Sequence, residues 1–250
     1  LPIMKALATA NRALAELKGR AAVIPNQGIL IDTLSLQEAK ASSEIENIVT
    51  THDELFQADF LPDGPSSAAT KEVARYRDAL KLGHDRWART QGLLTNNIII
   101  EMFQLLKGRT DSFRATPGTA LKHDVTGEIV YVPPQNANDI ISHMTALEKF
   151  INNYEISYLD PLIKMSIIHN QFERIHPFPD GNGRIGRILN VLYLVRAGLL
   201  DIPILYLSRH IIQTKGDYYR LLQAVRDENV WEEWTCYVLA AVADTATSTL

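Results

Sequence analysis

Apolar residues recur along most of the chain at intervals of three and four, the spacing that lines one face of an α-helix. Leu7, Leu14 and Leu17 share such a face and predict an opening helix that stops before Pro25. Ser35 and Glu38 have the form of a capping box, in which two side chains satisfy each other's orphan backbone donors. They predict a second helix from Ser35 to about Thr50. Residues 61–67, Leu-Pro-Asp-Gly-Pro-Ser-Ser, read as a linker, and helical spacing returns from Thr70 through Val73, Tyr76, Arg77 and Leu80. Further helices are expected over 97–106, 139–153, 161–174 and 183–198, with three more ending near Ala243. Trp231, Trp234 and Tyr237 recur at spacing three in the last of them and read as core packing.

One stretch breaks the helical period. Between Ala120 and Pro134 the run from His123 to Tyr131 alternates loosely, carries β-branched residues, and is punctuated by Gly127 and the Pro133-Pro134 pair. It predicts a β-hairpin. The expected fold is therefore all-α: a helical bundle with one short hairpin and no internal repeat.

Composition narrows the class. A hydrophobic content of 46% over 250 residues is ample for a packed core in one or two domains. The balance of 25 Lys+Arg against 29 Asp+Glu leaves a net charge of −4, and no run of five like charges occurs, which argues against a dedicated nucleic-acid binder. Cys236 is the sole cysteine, so the chain has no internal disulfide and no Cys-based zinc cluster, and suits a reducing, cytoplasmic compartment. No apolar run reaches the roughly 18–20 residues of a membrane span. The start, Leu1-Pro2-Ile3-Met4, lacks the features of a signal peptide, and its lack of an initiating Met reads as a piece of a longer protein.

Candidate chemistry concentrates in residues 176–187, His-Pro-Phe-Pro-Asp-Gly-Asn-Gly-Arg-Ile-Gly-Arg, between two strongly periodic helices. Glycines just before a helix expose backbone N–H groups, and the helix dipole favours an anion there by about 0.3–1 kcal/mol. Arg184 and Arg187, three apart in the first turn, project from one face against the usual acidic preference of that position, so a bound phosphate is the guest expected. Asp180 stands where a carboxylate can hold Mg²⁺ against phosphate oxygens, and His176 can take a proton near neutral pH. Singly, each has an ordinary structural explanation; convergence within twelve residues is what makes a site. Gly181, Gly183 and Gly186 also fit G-x-G-x-x-G, but a helix precedes them where a dinucleotide fold needs a strand. Neither a Walker A sequence nor a His-Glu-x-x-His pattern is present.

The same twelve residues match H-x-F-x-D/E-G-N-G-R-x-x-R at every defined position, so the chain resembles the Fic (filamentation induced by cAMP) family. The resemblance implies a Fic-type bundle and an enzyme that uses ATP and Mg²⁺ to transfer AMP to a Ser, Thr or Tyr hydroxyl of a target protein, releasing pyrophosphate. It makes His176 the general base and Asp180 the Mg²⁺ ligand. Gly181, Asn182 and Gly183 become the anion loop, Arg184 and Arg187 the holders of the outer phosphates, and Phe178 a buried anchor. The hairpin resembles the family flap, with Glu128, Ile129, Val130 and Tyr131 placed to present the target by strand addition. Tyr218 and Tyr219 resemble the helix edge that packs the nucleobase. Arg226 departs from relatives that carry a smaller polar residue near the nucleotide.

A second family pattern, S/T-x-x-x-E-G/N, fits Ser42, Glu46 and Asn47 on the helix predicted over 35–50. By resemblance this is an inhibitory helix whose Glu46 pairs with Arg187, so that ATP binds in a pose unfit for in-line attack. The implied division is an N-terminal segment, 1–60, carrying that helix, and a core, 70–250, with the flap at 120–134 and the motif loop at 176–187. The function implied is an autoinhibited protein adenylyltransferase whose partner is a hydroxyl-bearing protein, without membrane or nucleic acid, in a chain able to form a homodimer. Two alternatives share the residues: removal of AMP or transfer of another phosphate-linked group on the same fold, and a non-enzymatic nucleotide-gated module.

Overall fold

A computed structural model describes residues 1–60, 66–122 and 126–249. The bundle is centred on a helical hairpin, α7 (Pro161–Ile175) and α8 (Asn182–Arg196). From Arg184 to Val195 every residue of α8 is buried, the mark of a helix enclosed on all sides. Around it stand α1 (Pro2–Ala22), α2 (Gln27–Ile45), α3 (His52–Phe60), α4 (Ala68–Arg89), α5 (Asn96–Lys107), α6 (Ala137–Asn152), α9 (Ser208–Gln213), α10 (Lys215–Glu228) and α11 (Trp231–Ser248). The small-residue face of α1, with Ala10, Ala13 and Ala21 beside Leu14 and Leu17, lies along α11. Trp234 is buried and its indole N–H donates to the Ser166 carbonyl of α7, which bears out the packing role expected of the aromatic triplet.

Most boundaries follow local chemistry. Ser67 caps α4 by accepting from the Thr70 N–H at 3.0 Å, and Thr95 caps α5. Gly108 ends α5 in the left-handed region at φ 62°. Two expectations fail. The second helix starts at Gln27, capped by Asn26, and Ser35 lies inside it, so Ser35 and Glu38 form no capping box. It ends at Ile45, short of the predicted Thr50, because Asn47 adopts φ 62°. A true capping box stands at Thr51 and Glu54, where each side chain accepts from the other's backbone N–H, and it opens α3, a helix the apolar spacing did not reveal.

The strands β1 (Leu121–Lys122) and β2 (Ile129–Tyr131) pair antiparallel, Leu121 opposite Tyr131, within the predicted hairpin. Residues 123–125 of that hairpin, and 61–65 of the predicted linker, lie outside the described residues.

Glu38 fastens α2 to its neighbours. Its carboxylate is buried and accepts from the Ser208 N–H at 2.8 Å, the Ser208 hydroxyl and the Tyr76 hydroxyl, joining α2 to α9 and α4. Glu38→Ala would strand these buried donors at a cost of about 3 kcal/mol. The expected result in thermal denaturation is a midpoint lower by roughly 6–12 °C for a domain of this size; an unchanged midpoint would show that α2 is held elsewhere.

Candidate active site

The motif loop is fixed at both ends. His176 terminates α7 in the left-handed region at φ 49°, a conformation costing a non-glycine residue of order 1 kcal/mol. Arg114 offsets that strain: its Nε donates to the His176 carbonyl at 2.8 Å and its backbone N–H to the Pro177 carbonyl, while Nη2 reaches the Pro134 carbonyl behind the flap. Phe178 is buried and stacks on Phe103 with ring centroids 4.0 Å apart. Asn182 turns its side chain back onto Phe178, accepting from its N–H and donating to its carbonyl, both at 2.8 Å. Gly181, at φ 75°, then starts α8 without any side-chain cap. The Gly181 N–H is taken by Asp180 Oδ1 at 2.7 Å, and the N–H groups that follow it, in the first turn of α8, have no capping side chain.

His176 caps α7 at the start of this loop, with its Nδ1 buried. Burial, followed by the guanidinium groups of Arg114 and Arg226, pushes its pKa down to about 4, so the ring is neutral at physiological pH, the form a general base needs. Glu173, one turn earlier on α7, is pushed up to about 7 by burial, against the pull of Arg187 and Arg226.

The two motif arginines are wholly buried, at 0% and 1% exposure, unlike the solvated face that two arginines on one helix usually make. Glu46, just past the last turn of α2, bridges them: Arg184 Nε donates to one carboxylate oxygen at 2.7 Å and Arg187 Nη2 to the other at 2.9 Å. Arg187 also donates to the Ser42 hydroxyl at 2.7 Å and the Ser42 carbonyl at 2.8 Å. Burial alone would lower both arginines, but Glu46 overcomes it and both shifts are upward, keeping both cations charged. The carboxylate lies inside the motif loop itself: a β-carbon on Gly183 would come within 2.6 Å of Glu46 Oε1. The protein's own carboxylate therefore occupies the place that the helix start and the arginines prepare for an anion. Asn47 stands beyond, in the left-handed region, its side-chain oxygen 3.4 Å from Lys215 Nζ.

Two residues that spacing did not reveal complete the ion-pair network. Glu72 of α4 accepts from Arg184 Nη1 at 2.7 Å and from Lys107 Nζ at 2.5 Å, and Lys107 also pairs with Asp180 Oδ2 at 2.6 Å. Asp180 is mostly exposed and held below the usual carboxylate range, burial being outweighed by Lys107, Arg184 and the Gly181 N–H. Arg114, which spacing also did not reveal, holds the loop through backbone carbonyls.

Tyr218 and Tyr219 part company. Tyr218 is 2% exposed, and its hydroxyl meets His169 Nε2 at 2.7 Å in the core, so it does not form the nucleobase edge assigned to it. Its neighbour Tyr219 is 45% exposed, with its ring edge-on to Tyr218. On the flap, Ile129 and Val130 are exposed, Glu128 lies before the strand, and the Val130 carbonyl accepts from Gln223 of α10 at 3.0 Å. Tyr131 hydrogen-bonds the Arg174 carbonyl at 2.9 Å and carries the Arg226 guanidinium 4.2 Å from its ring centre. Arg226 therefore braces the flap.

A helical bundle with a small hairpin and a glycine-containing loop between two core helices defines the class of protein, and comparison with known proteins agrees. The chain belongs to the Fic/DOC family: the "Fic/DOC family N-terminal" pattern matches residues 4–85 and the "Fic/DOC family" pattern residues 93–194. It is 30% identical over 161 residues to the protein adenylyltransferase Fic of Nematostella vectensis, covering 64% of this chain and 35% of that one. The chain spans about a third or less of the length of the curated relatives it matches. Among solved structures it resembles a Fic family protein from Desulfovibrio desulfuricans, with a TM-score of 0.77 at 23% identity over 99% of this chain and 73% of that one. It also resembles a Fic-domain signalling protein from Bacteroides thetaiotaomicron, with a TM-score of 0.74 at 19% identity over 100% of this chain and 95% of that one. These two likenesses establish the fold. None of the described helices is long and apolar enough to cross a membrane.

Proposed function

We propose that the protein is an autoinhibited protein adenylyltransferase, transferring AMP from ATP to a Ser, Thr or Tyr hydroxyl of a target protein and releasing pyrophosphate. The observation that carries the reading is Glu46, a carboxylate seated in the anion loop and bonded to both buried arginines. With Glu46 withdrawn, the N–H groups of Asn182 and Gly183 and the two guanidinium groups face a triphosphate, joined by the Gly181 N–H once Asp180 Oδ1 releases it. His176, neutral and held in place by Arg114, takes the proton of the attacking hydroxyl on its imidazole ring. The loop amides and arginines stabilise the charge that develops on the phosphate oxygens.

A magnesium ion bound with a triphosphate needs only one or two protein carboxylates, and exposed Asp180 at the loop fits that requirement once Lys107 is released. Among the described residues no cluster of three metal-ligating side chains occurs, so the ion would bind with the nucleotide. Its chemistry there is neutralisation of phosphate charge.

The target segment would join the exposed flap strand, competing with Gln223 for the Val130 carbonyl. In this reading residues 1–60 are the regulatory segment and 70–250 the catalytic core, acting in the cytoplasm on a protein partner, with a homodimer as the assembly. The test is a nucleotide panel with Glu46→Gly, read by intact mass of the chain and of added protein hydroxyl substrates. Addition of AMP from ATP, lost with His176→Ala, is expected. A different adduct, or removal of AMP from a modified target by the unaltered chain alone, would overturn the direction of chemistry proposed.

A further inference from the structure

Glu46 accounts for only part of the negative charge at the loop. Arg184 is held on two sides, by Glu46 at Nε and by Glu72 at Nη1. Glu72 belongs to α4, apart from the inhibitory pattern, and its carboxylate also holds Lys107 Nζ at 2.5 Å. Lys107, the last residue of α5, runs along the loop backbone: its Cδ lies 3.5 Å from where a β-carbon on Gly181 would be, and its ammonium reaches Asp180. Beside it, Arg184 Nη2 is buried, makes no hydrogen bond, and lies 3.4 Å from that same Gly181 position. A guanidinium nitrogen 3.9 Å from Asp180 Oδ1 and a lysine thus converge on one side of the loop, while Glu72 from another helix bonds both side chains.

The charges match one another. Arg184, Arg187 and Lys107 are paired with Glu46, Glu72 and Asp180, so this set is neutral as it stands. A magnesium-bound triphosphate brings net negative charge, and withdrawal of Glu46 alone frees Arg187 while leaving Arg184 and Lys107 still engaged by Glu72. Asp180 is likewise open to a cation only when Lys107 turns elsewhere.

We infer that Lys107 is a further phosphate-positioning residue of this site, and that Glu72 is a second internal counter-ion competing with nucleotide phosphates for Lys107 and Arg184. The inference rests on the nucleotide-binding reading of the loop. It adds a second point of control on a separate helix: ATP in the pose that permits transfer must displace Glu72 from Lys107 as well as Glu46 from Arg187. AMP, which lacks the outer phosphates, has less to gain from either.

Calorimetric titration of ATP and AMP with magnesium tests this in the chain that retains Glu46, so that Arg184 keeps one carboxylate in every variant. Glu72→Gln is expected to tighten ATP about fivefold or more and to change AMP less than twofold. Lys107→Met is expected to weaken ATP by a similar factor, again sparing AMP, and to cancel the gain when combined with Glu72→Gln. Weaker ATP binding by Glu72→Gln would make Glu72 a support for Arg184 and overturn its role as a competitor. Equal loss of ATP and AMP in Lys107→Met would make the lysine structural and overturn the inference through a variant that does not disturb Arg184. If the unaltered chain and Glu46→Gly both bind no ATP, the nucleotide reading itself fails; if they bind it and Glu72→Gln changes nothing, only this inference does.

Discussion

Glu46→Gly is expected to raise the rate of AMP transfer by about a hundredfold or more. The size follows from what Glu46 holds. Its carboxylate is 21% exposed and bonds two guanidinium groups that are 1% exposed, and separating buried partners of this kind costs about 3–5 kcal/mol. Keeping 99% of molecules closed needs only about 2–3 kcal/mol. On that scale the open fraction of the unaltered chain is expected to lie at or below about one in a hundred, and removal of the carboxylate to release the rest. Arg184 keeps Glu72 and Arg187 keeps Ser42, so neither is left without a partner and the fold is expected to survive. The check is the initial rate of incorporation of labelled AMP, with folding followed by thermal denaturation. A rate within about threefold of the unaltered chain would remove Glu46 from control of the site.

The second large effect concerns His176. In the Glu46→Gly background His176→Ala is expected to lower transfer by about 10²–10⁴, the usual contribution of a general base. Because αL favours asparagine among non-glycine residues, His176→Asn separates base from backbone: it should be equally inactive while disturbing the loop less. The pH profile carries the same claim in a form that a structural role would not mimic. A pKa of about 4 keeps the ring neutral above that value, so kcat/KM should change by less than about twofold from pH 8 to 5.5 and fall only on further acidification. Loss of half the activity near pH 6.5 would show an ordinary histidine. A break near pH 7 that Glu173→Gln removes would instead place control on Glu173, the buried carboxyl one turn away.

What could be read in the sequence depended on distance along the chain. The loop from His176 to Arg187 is contiguous, so the spacing of its residues already carried their proximity. Glu46 lies 141 residues from Arg187, and it was found through the Ser42, Glu46 and Asn47 pattern that resemblance supplied. Glu72, Lys107 and Arg114 had no such pattern. Each is a single charged residue within or between amphipathic helices, where sequence alone reads a solvated side chain, and only packing turns it toward the loop. The error at α2 was of the opposite kind. Ser35 and Glu38 reproduce a helix-start signature in the middle of a helix, because Glu38 is buried against α9 and α4 while Ser35 donates back to the Asp32 carbonyl of its own helix. Tyr218 failed as a nucleobase contact for a related reason: adjacent tyrosines on one helix point in different directions, and the first points into the core.

The central claim is that Glu46 and the outer phosphate compete for Arg187. The most direct measurement is a pair of crystal structures with ATP and magnesium, one of the unaltered chain and one of Glu46→Gly. The account expects Arg187 still bonded to Glu46 in the first, and bonded to the terminal phosphate in the second. A terminal phosphate on Arg187 in the unaltered chain, with Glu46 still in place beside it, would contradict the account.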